Sequence, residues 1–169
     1  FVSYEADATN EGAWVRFYWD RAAAQRKDVY LLITFLPAAS GGSGADQAGT
    51  GGSGTGGSGA SGSEPGAQDA KEEALRQFDT LSSEENTVVT QRMVRDDGDQ
   101  PDHAWAEAEV VFTRGQGQQQ TIGRRMLGEH QGLWFMAEYS YPWDFADGMG
   151  PRFGKIFSEW RWLDGSALE

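Results

Sequence analysis

One histidine and one carboxylate stand at a spacing that could support general acid–base catalysis. His103 lies four residues before Glu107, in the stretch HAWAEAEVVFT, whose alternation predicts a strand. Residues four apart in a strand point to the same side, so the imidazole and the carboxylate could together move a substrate proton. A hydrolase using His103 and Glu107 is one hypothesis, and a solvated strand face beside a turn is the alternative.

The acidic run DDGDQPD could offer oxygen ligands to a cation. Its carboxylates belong to Asp96, Asp97, Asp99 and Asp102, and Ca²⁺ takes oxygen ligands. The spacing lacks the ordered ligand series and the distal glutamate of an EF-hand loop. A calcium site and a solvated turn both remain open.

Aromatic residues make up 12% of the chain, enough to supply a binding surface as well as a core. Alternate residues of a strand face opposite ways, so Trp134 cannot share the face of Phe135. The side chains that would form a second, aromatic sheet face are Trp14, Tyr18, Trp105 and Trp134. Tyr141 and Trp143 follow at the end of the last strand, where a ligand pocket could form. Packing under the N-terminal hairpin or against another chain is the alternative interpretation.

The sequence contains no other recognisable catalytic or cofactor motif. The absence of cysteine excludes disulfides, thiolate metal sites and cysteine nucleophiles. A serine-centred nucleophile elbow is missing, and the Gly-rich segment lacks the Lys-Ser/Thr pair of a phosphate loop. We therefore predict no cofactor.

The charge balance disfavours nucleic-acid binding. Asp and Glu number 26 against 14 Lys and Arg, which gives a formal net charge of -12 and a mean field that repels a phosphate backbone. No apolar run approaches the roughly 20 residues that span a bilayer. A protein partner or a second copy of the chain is the expected partner class.

The first 40 residues predict three strands that would position the aromatic side chains. A short mixed segment, residues 1–6, precedes the run AWVRFYWD, which alternates in the manner of a half-buried strand. The run DVYLLITFLP is apolar on both faces, as a central strand requires. Pro37 ends it because proline has no N–H to donate to the sheet.

Residues 41–66 are rich in Gly and Ser and raise the question of domain count. Neither flank supplies enough elements for a core of its own, and the entropy of closing a loop grows slowly with its length. We therefore predict one α+β domain over residues 1–167 with a disordered insertion at 41–66. Residues 168–169 are interpreted as a cloning scar.

The remaining elements complete the predicted fold. Asp69 is a predicted N-cap for an amphipathic helix through Leu81. Four strand patterns then form an antiparallel meander, and residues 147–163 carry apolar side chains at the spacing of one helix face. The fold class is α+β: an antiparallel sheet of about six to seven strands, with three N-terminal strands, a helix, a four-strand meander and a C-terminal helix, the helices packed on the sheet.

This order of elements resembles the PsbP-like fold. The residues that carry the resemblance are ITFLP before the first helix, and WFMAEYSYP followed by PRFGKIFSEWRWL. The fold is shared by extrinsic oxygen-evolving-complex proteins of photosystem II, a Ran-binding nuclear import factor and bacterial envelope lipoproteins. The resemblance implies a mostly non-enzymatic family whose members bind different partners, so no functional residue is carried over.

The function expected from these observations is non-catalytic binding. The first hypothesis is a module that engages a protein partner, or its own copy, through the aromatic sheet face. The second is a small-ligand or carbohydrate-binding domain of the cell envelope with a pocket near Tyr141 and Trp143. The envelope members of the resembled family, and Phe1 rather than Met as the first residue, favour an extracytoplasmic location.

Overall fold

Seven strands and three helices form the part of the chain that the structure describes. The structure is a computed structural model and describes residues 1, 3–9, 12–36, 65–117 and 120–168. The strands are β1 (Ser3–Thr9), β2 (Gly12–Tyr18), β3 (Tyr30–Phe35), β4 (Thr87–Val94), β5 (Ala108–Arg114), β6 (Thr121–His130) and β7 (Leu133–Pro142). The helices are α1 (Arg21–Arg26), α2 (Pro65–Asp79) and α3 (Ala146–Glu159).

All seven strands belong to one antiparallel sheet, in the order β1-β2-β3-β7-β6-β5-β4. The central contact is between β3 and β7, where Ile33 pairs with Ala137 and Leu31 with Tyr139. The N-terminal strands and the later meander therefore share a single sheet. The predicted α+β class and sheet are confirmed.

The two faces of the sheet are covered by different helices. On one face, α3 places Phe153 and Phe157 against β3 and β7. On the other face, α2 places Ala74 and Phe78 against β5 and β6, where Phe112 is fully buried. Because both faces are covered near the middle of the sheet, the central strands carry apolar residues at successive positions.

The strand predicted from HAWAEAEVVFT begins later than its alternation indicates. β5 starts at Ala108, and the residues before it form a turn in which the Ala106 amide donates to the His103 carbonyl. The Arg95 guanidinium donates to the carbonyls of Ala104 and Ala106, at 2.6 and 2.8 Å. These carbonyls thus bond to a side chain rather than to a neighbouring strand.

The helix boundaries also differ from the predicted ones. α2 begins at Pro65 rather than after Asp69, and a proline suits a first turn because an N–H there has no helical partner. The predicted insertion at 41–66 therefore loses its last two residues to α2, and 41–64 lie outside the described residues. α3 ends at Glu159 rather than residue 163. The short helix α1 is an element that the sequence pattern does not predict.

The C-terminal residues pack back onto the domain. Arg161 forms an isolated antiparallel bridge with Ala167. Leu168, which the sequence analysis excludes from the fold, is half-buried against the apolar cluster beneath α3.

Gly123 on β6 marks a point where only a hydrogen fits. A Cβ atom there would lie 2.4 Å from the Phe112 ring and 2.6 Å from the Tyr139 carbonyl oxygen. The close approach of this ring to the β6 backbone therefore requires glycine.

None of the helices in the described ranges combines the length and the apolar character needed to cross a membrane.

Candidate ligand-binding site

The short helix α1 positions two cations at one end of the sheet. Asp20 caps it, since its carboxylate accepts a hydrogen bond from the Ala23 amide at 2.7 Å. Ala23 is buried and anchors the helix against the core. Lys27 is the C-cap residue after Arg26; its backbone is left-handed (φ 57°), and its N–H donates to the Ala23 carbonyl. Arg26 and Lys27 therefore lie at a sharp turn just before β3.

The segment between β7 and α3 lies at the same end of the sheet. It forms a single 3₁₀ turn, Trp143–Phe145. The Trp143 amide donates to the carbonyl of Gln120, at the start of β6. Trp143 is 55% exposed and Phe145 is 51% exposed. Two large aromatic side chains of this turn are thus exposed to solvent.

Between α1 and the beginning of α3 lies a cavity of about 440 Å³, called here the apolar cavity. Trp19, Val29, Phe145 and Met149 supply its apolar lining. Asp20, Arg26, Asp144 and Arg152 supply charged groups, all on exposed residues. The Arg152 guanidinium lies 5.2 Å from the centre of the Trp19 ring, a cation–π contact that holds this wall in place.

A second cavity, of about 570 Å³, lies beyond Arg26 and is called here the polar cavity. Its lining is mostly polar: Arg26, Lys27, Asp28, Tyr30, Arg114, Gly115, Gln120, Thr121, Ser140 and Pro142. Arg26 lines both cavities. The two cavities are therefore neighbours that share one lining residue.

The inner wall of the polar cavity belongs to a buried ionic network. The Tyr30 hydroxyl donates to Glu138 at 2.6 Å and accepts from Arg114 at 2.9 Å. Arg125 donates to the second Glu138 oxygen at 2.7 Å, and Glu84 pairs with both arginines. Burial raises the pKa of Tyr30, and the Glu138 charge raises it further. The phenol therefore stays protonated and keeps donating to Glu138.

Glu138 is ionised although it is only 3% exposed. Burial alone would raise its pKa, but the charges of Arg125 and Arg114 and the hydrogen bond from Tyr30 outweigh burial, so the pKa of Glu138 is lowered. The network thus holds a negative charge between two guanidinium groups. Its arginines are fixed in place by these bonds.

Acid should remove the stability that ionised Glu138 contributes. A carboxylate with a lowered folded pKa stabilises the fold above its unfolded pKa of about 4.3, and this stability is lost as the pH falls through the folded pKa. We expect the free energy of unfolding, measured by urea titration at about pH 6 and about pH 3, to fall less in Glu138→Gln than in the parent. An equal fall in both proteins would contradict this assignment.

Of the aromatic residues predicted to bind, only Trp143 is largely exposed. Tyr141 is buried beneath α3, with its ring stacked 6.0 Å from that of Phe153. Trp143 follows it and adjoins the residues that line the apolar cavity. Neither Tyr141 nor Trp143 is a lining residue of the apolar cavity, whereas Asp144 and Phe145, which follow them in the chain, are. The pocket predicted near Tyr141 and Trp143 therefore stays a prediction.

The other four predicted aromatics do not form one surface. Trp14, Tyr18 and Trp134 lie on the sheet face opposite α3, but Tyr18 is 1% exposed and its hydroxyl donates to Glu5. Trp105 precedes β5 and stacks on Phe135 on the α3 side, 5.7 Å between ring centres. The prediction that placed Trp105 on the second face is wrong, because the strand begins only at Ala108.

His103 contacts a different carboxylate from the one that its spacing suggested. Its Nδ1 lies 3.2 Å from Glu109, which is fully buried, whereas Glu107 pairs with Lys71 and Arg95. Burial would raise the pKa of Glu109, but its hydrogen bonds with His103 and Arg124 lower it. The contact ties the turn before β5 to the sheet.

The acidic run is distributed among separate cations. Asp96 pairs with Lys71, Asp97 with Arg92, and Asp102 with Arg124. Within the described ranges, no group of three His, Asp or Glu side chains is placed to hold a metal ion. The described aspartates of the acidic run therefore do not form a set of ligands for calcium.

No sequence pattern indicates that the residues lining the two cavities form a site. Arg26 and Lys27 follow the second strand in the run DRAAAQRK, where Asp20 before three alanines is a signal for a short capped helix. The helical spacing predicts Met149 as a core residue, and the alternation places Trp19 in a strand. Nothing local indicates that these residues meet.

No family model, curated protein or solved structure matches this chain. The resemblance to the PsbP-like fold therefore stays a prediction.

Proposed function

We propose that the protein is a binding domain that takes a small, largely apolar ligand in the apolar cavity. The observation that carries the proposal is the cavity itself, about 440 Å³ with an apolar wall and a charged rim. Ligand pockets in proteins measure about 300–1,000 Å³ and combine such a wall with a few polar groups. The proposal assigns no catalytic role to the chain.

Two further features support this proposal. Val29, directly before β3, and Met149, in α3, are both buried, so these lining residues need little ordering when a ligand binds. Phe145, a lining residue of the cavity, is 51% exposed, and exposed apolar patches commonly mark binding sites. A ligand at this position would cover surface that is otherwise hydrated.

A protein partner or a second copy is the other candidate, favoured by the exposed edge of the sheet. Among the described strands, β1 has a neighbour on one side only. Tyr4 on β1 is 70% exposed, and its ring lies 6.3 Å from that of Phe17. Strand edges of this kind can accept a strand from another chain.

The neutral probe N-phenyl-1-naphthylamine, which fluoresces in apolar surroundings, tests the proposed function. We expect saturable binding to the parent and at least a tenfold weaker affinity in Gly148→Phe. Gly148 lines the cavity, and an added Cβ there meets nothing within 4 Å, so the new ring can occupy the cavity without a clash at the backbone.

Gly154→Phe is the matched control. Gly154 also lies on an exposed part of α3 with open space around an added Cβ, but it is not a lining residue of the apolar cavity. This variant should bind the probe as the parent does. Absence of saturable binding, or an equal loss in both variants, would refute the proposed function.

A further inference from the structure

The polar cavity and the apolar cavity are adjacent, because neighbouring residues of the same segments line them. Arg26 contributes to both linings. Val29 lines the apolar cavity, and the next residue, Tyr30, lines the polar cavity. Pro142, the last residue of β7, lines the polar cavity, and Phe145, in the turn that follows, lines the apolar cavity. A ligand held in the apolar cavity can therefore contact Arg26, which also faces the polar cavity.

The linings of the two cavities differ in charge. The lining of the apolar cavity has two arginines and two aspartates, so its formal charges sum to zero. The polar cavity has three cations, Arg26, Lys27 and Arg114, against the single carboxylate of Asp28. The chain as a whole carries a formal charge of -12. Glu84 and Glu138 pair with Arg114 behind the lining, so the positive excess at the polar cavity is that of Arg26 and Lys27 over Asp28. Such a local excess of positive charge favours an anion.

Two of these cations keep hydrogen-bond donors available. The Arg26 Nε donates to Asp28 at 2.6 Å, and its two terminal nitrogens bond to none of the described residues. Lys27 is exposed and forms no ion pair within the described ranges. Arg114, in contrast, already donates hydrogen bonds to Thr87, Tyr30 and Glu84. The available donors are therefore those of Arg26 and Lys27.

We propose that the ligand is an amphipathic anion, with its apolar part in the apolar cavity and its carboxylate bound by Arg26 and Lys27 at the polar cavity. A guanidinium with both terminal nitrogens unbonded can engage the two oxygens of a carboxylate in parallel. Asp28 orients Arg26 for this contact. The inference rests on the proposed function, because it assigns a head group to the ligand of the same cavity.

Three probes with the same twelve-carbon chain test the head group: dodecanoate, 1-dodecanol and dodecylamine, each displacing N-phenyl-1-naphthylamine at submicellar concentration. We expect dodecanoate to bind at least tenfold more tightly than dodecanol, since hydrogen bonds to a charged group contribute about that factor or more. Dodecylamine should bind more weakly than dodecanoate. The double variant Arg26→Gln, Lys27→Gln should reduce the preference for dodecanoate over dodecanol to near unity.

Arg21→Gln is the matched control, because Arg21 is an exposed cation on the same helix and is not a lining residue of either cavity. It should retain the preference. If dodecanol binds as tightly as dodecanoate, or dodecylamine binds most tightly, the anionic head group is refuted while the proposed function stands. If the naphthylamine probe shows no saturable binding, the proposed function fails and this inference fails with it.

Discussion

Replacement of Glu138 by alanine should lower the free energy of unfolding by about 3–5 kcal/mol. The Glu138 carboxylate accepts from Tyr30 and Arg125 inside the sheet, and Arg125 is itself only 8% exposed. Removing the carboxylate leaves a buried guanidinium without its principal counter-charge, which is the costly way to break an ion pair. Urea unfolding followed by circular dichroism measures the loss.

Glu84→Ala is the control for this prediction. Glu84 pairs with the same two arginines, but its side chain is 37% exposed, so solvent compensates much of what is lost. We expect a cost of about 1 kcal/mol or less. If Glu138→Ala were no more costly than Glu84→Ala, the buried network would not be the source of stability that its geometry indicates.

Replacement of Phe153 by alanine should also cost about 3–5 kcal/mol. Phe153 is fully buried between α3 and the sheet, and its ring stacks on that of Tyr139 with 4.5 Å between centres. Truncation removes the buried apolar surface and leaves a cavity that the rigid sheet cannot fill. The same urea titration measures the effect, with Phe153→Leu expected to fall between the parent and the alanine variant.

Phe145→Ala provides the matched control, since Phe145 is an aromatic residue close to the same helix and is 51% exposed. Its free energy of unfolding should stay within about 0.5 kcal/mol of the parent. Comparable losses at both positions would show that α3 is not packed on the sheet as described. The two variants also separate stability from binding, because Phe145 lines the apolar cavity and Phe153 does not.

The buried network and the polar cavity are physically linked. Tyr30 and Arg114 belong to both, so the wall of the cavity is as rigid as the ionic contacts behind it. A site built on strands with fixed side chains can present a charge without reorganising when the ligand arrives. This arrangement leaves Arg26 and Lys27, at the end of α1, as the adaptable part of the site.

Local patterns predicted most of the fold correctly. Alternation located the central strand β3 and the end of the meander in β7, and the apolar spacing of Met149, Phe153 and Phe157 located α3. The error at the start of β5 has a specific cause: Ala104 and Ala106 alternate as a strand would, but Arg95 bonds to their carbonyls. The hydrogen bond from Arg95 to Ala104, nine residues later, cannot be predicted from the alternation of residues around Ala104.

The sequence by itself determined the α+β class, the antiparallel sheet and the absence of cysteine chemistry. These follow from composition and from the periodicity of neighbouring residues. The tertiary structure alone decided where the charges and cavities lie. Tyr30 and Glu138 meet across 108 positions of sequence, and Arg26 reaches two cavities because α1 and the start of α3 lie at the same end of the sheet. Such contacts depend on strand order and register, which bring together residues that no local pattern relates.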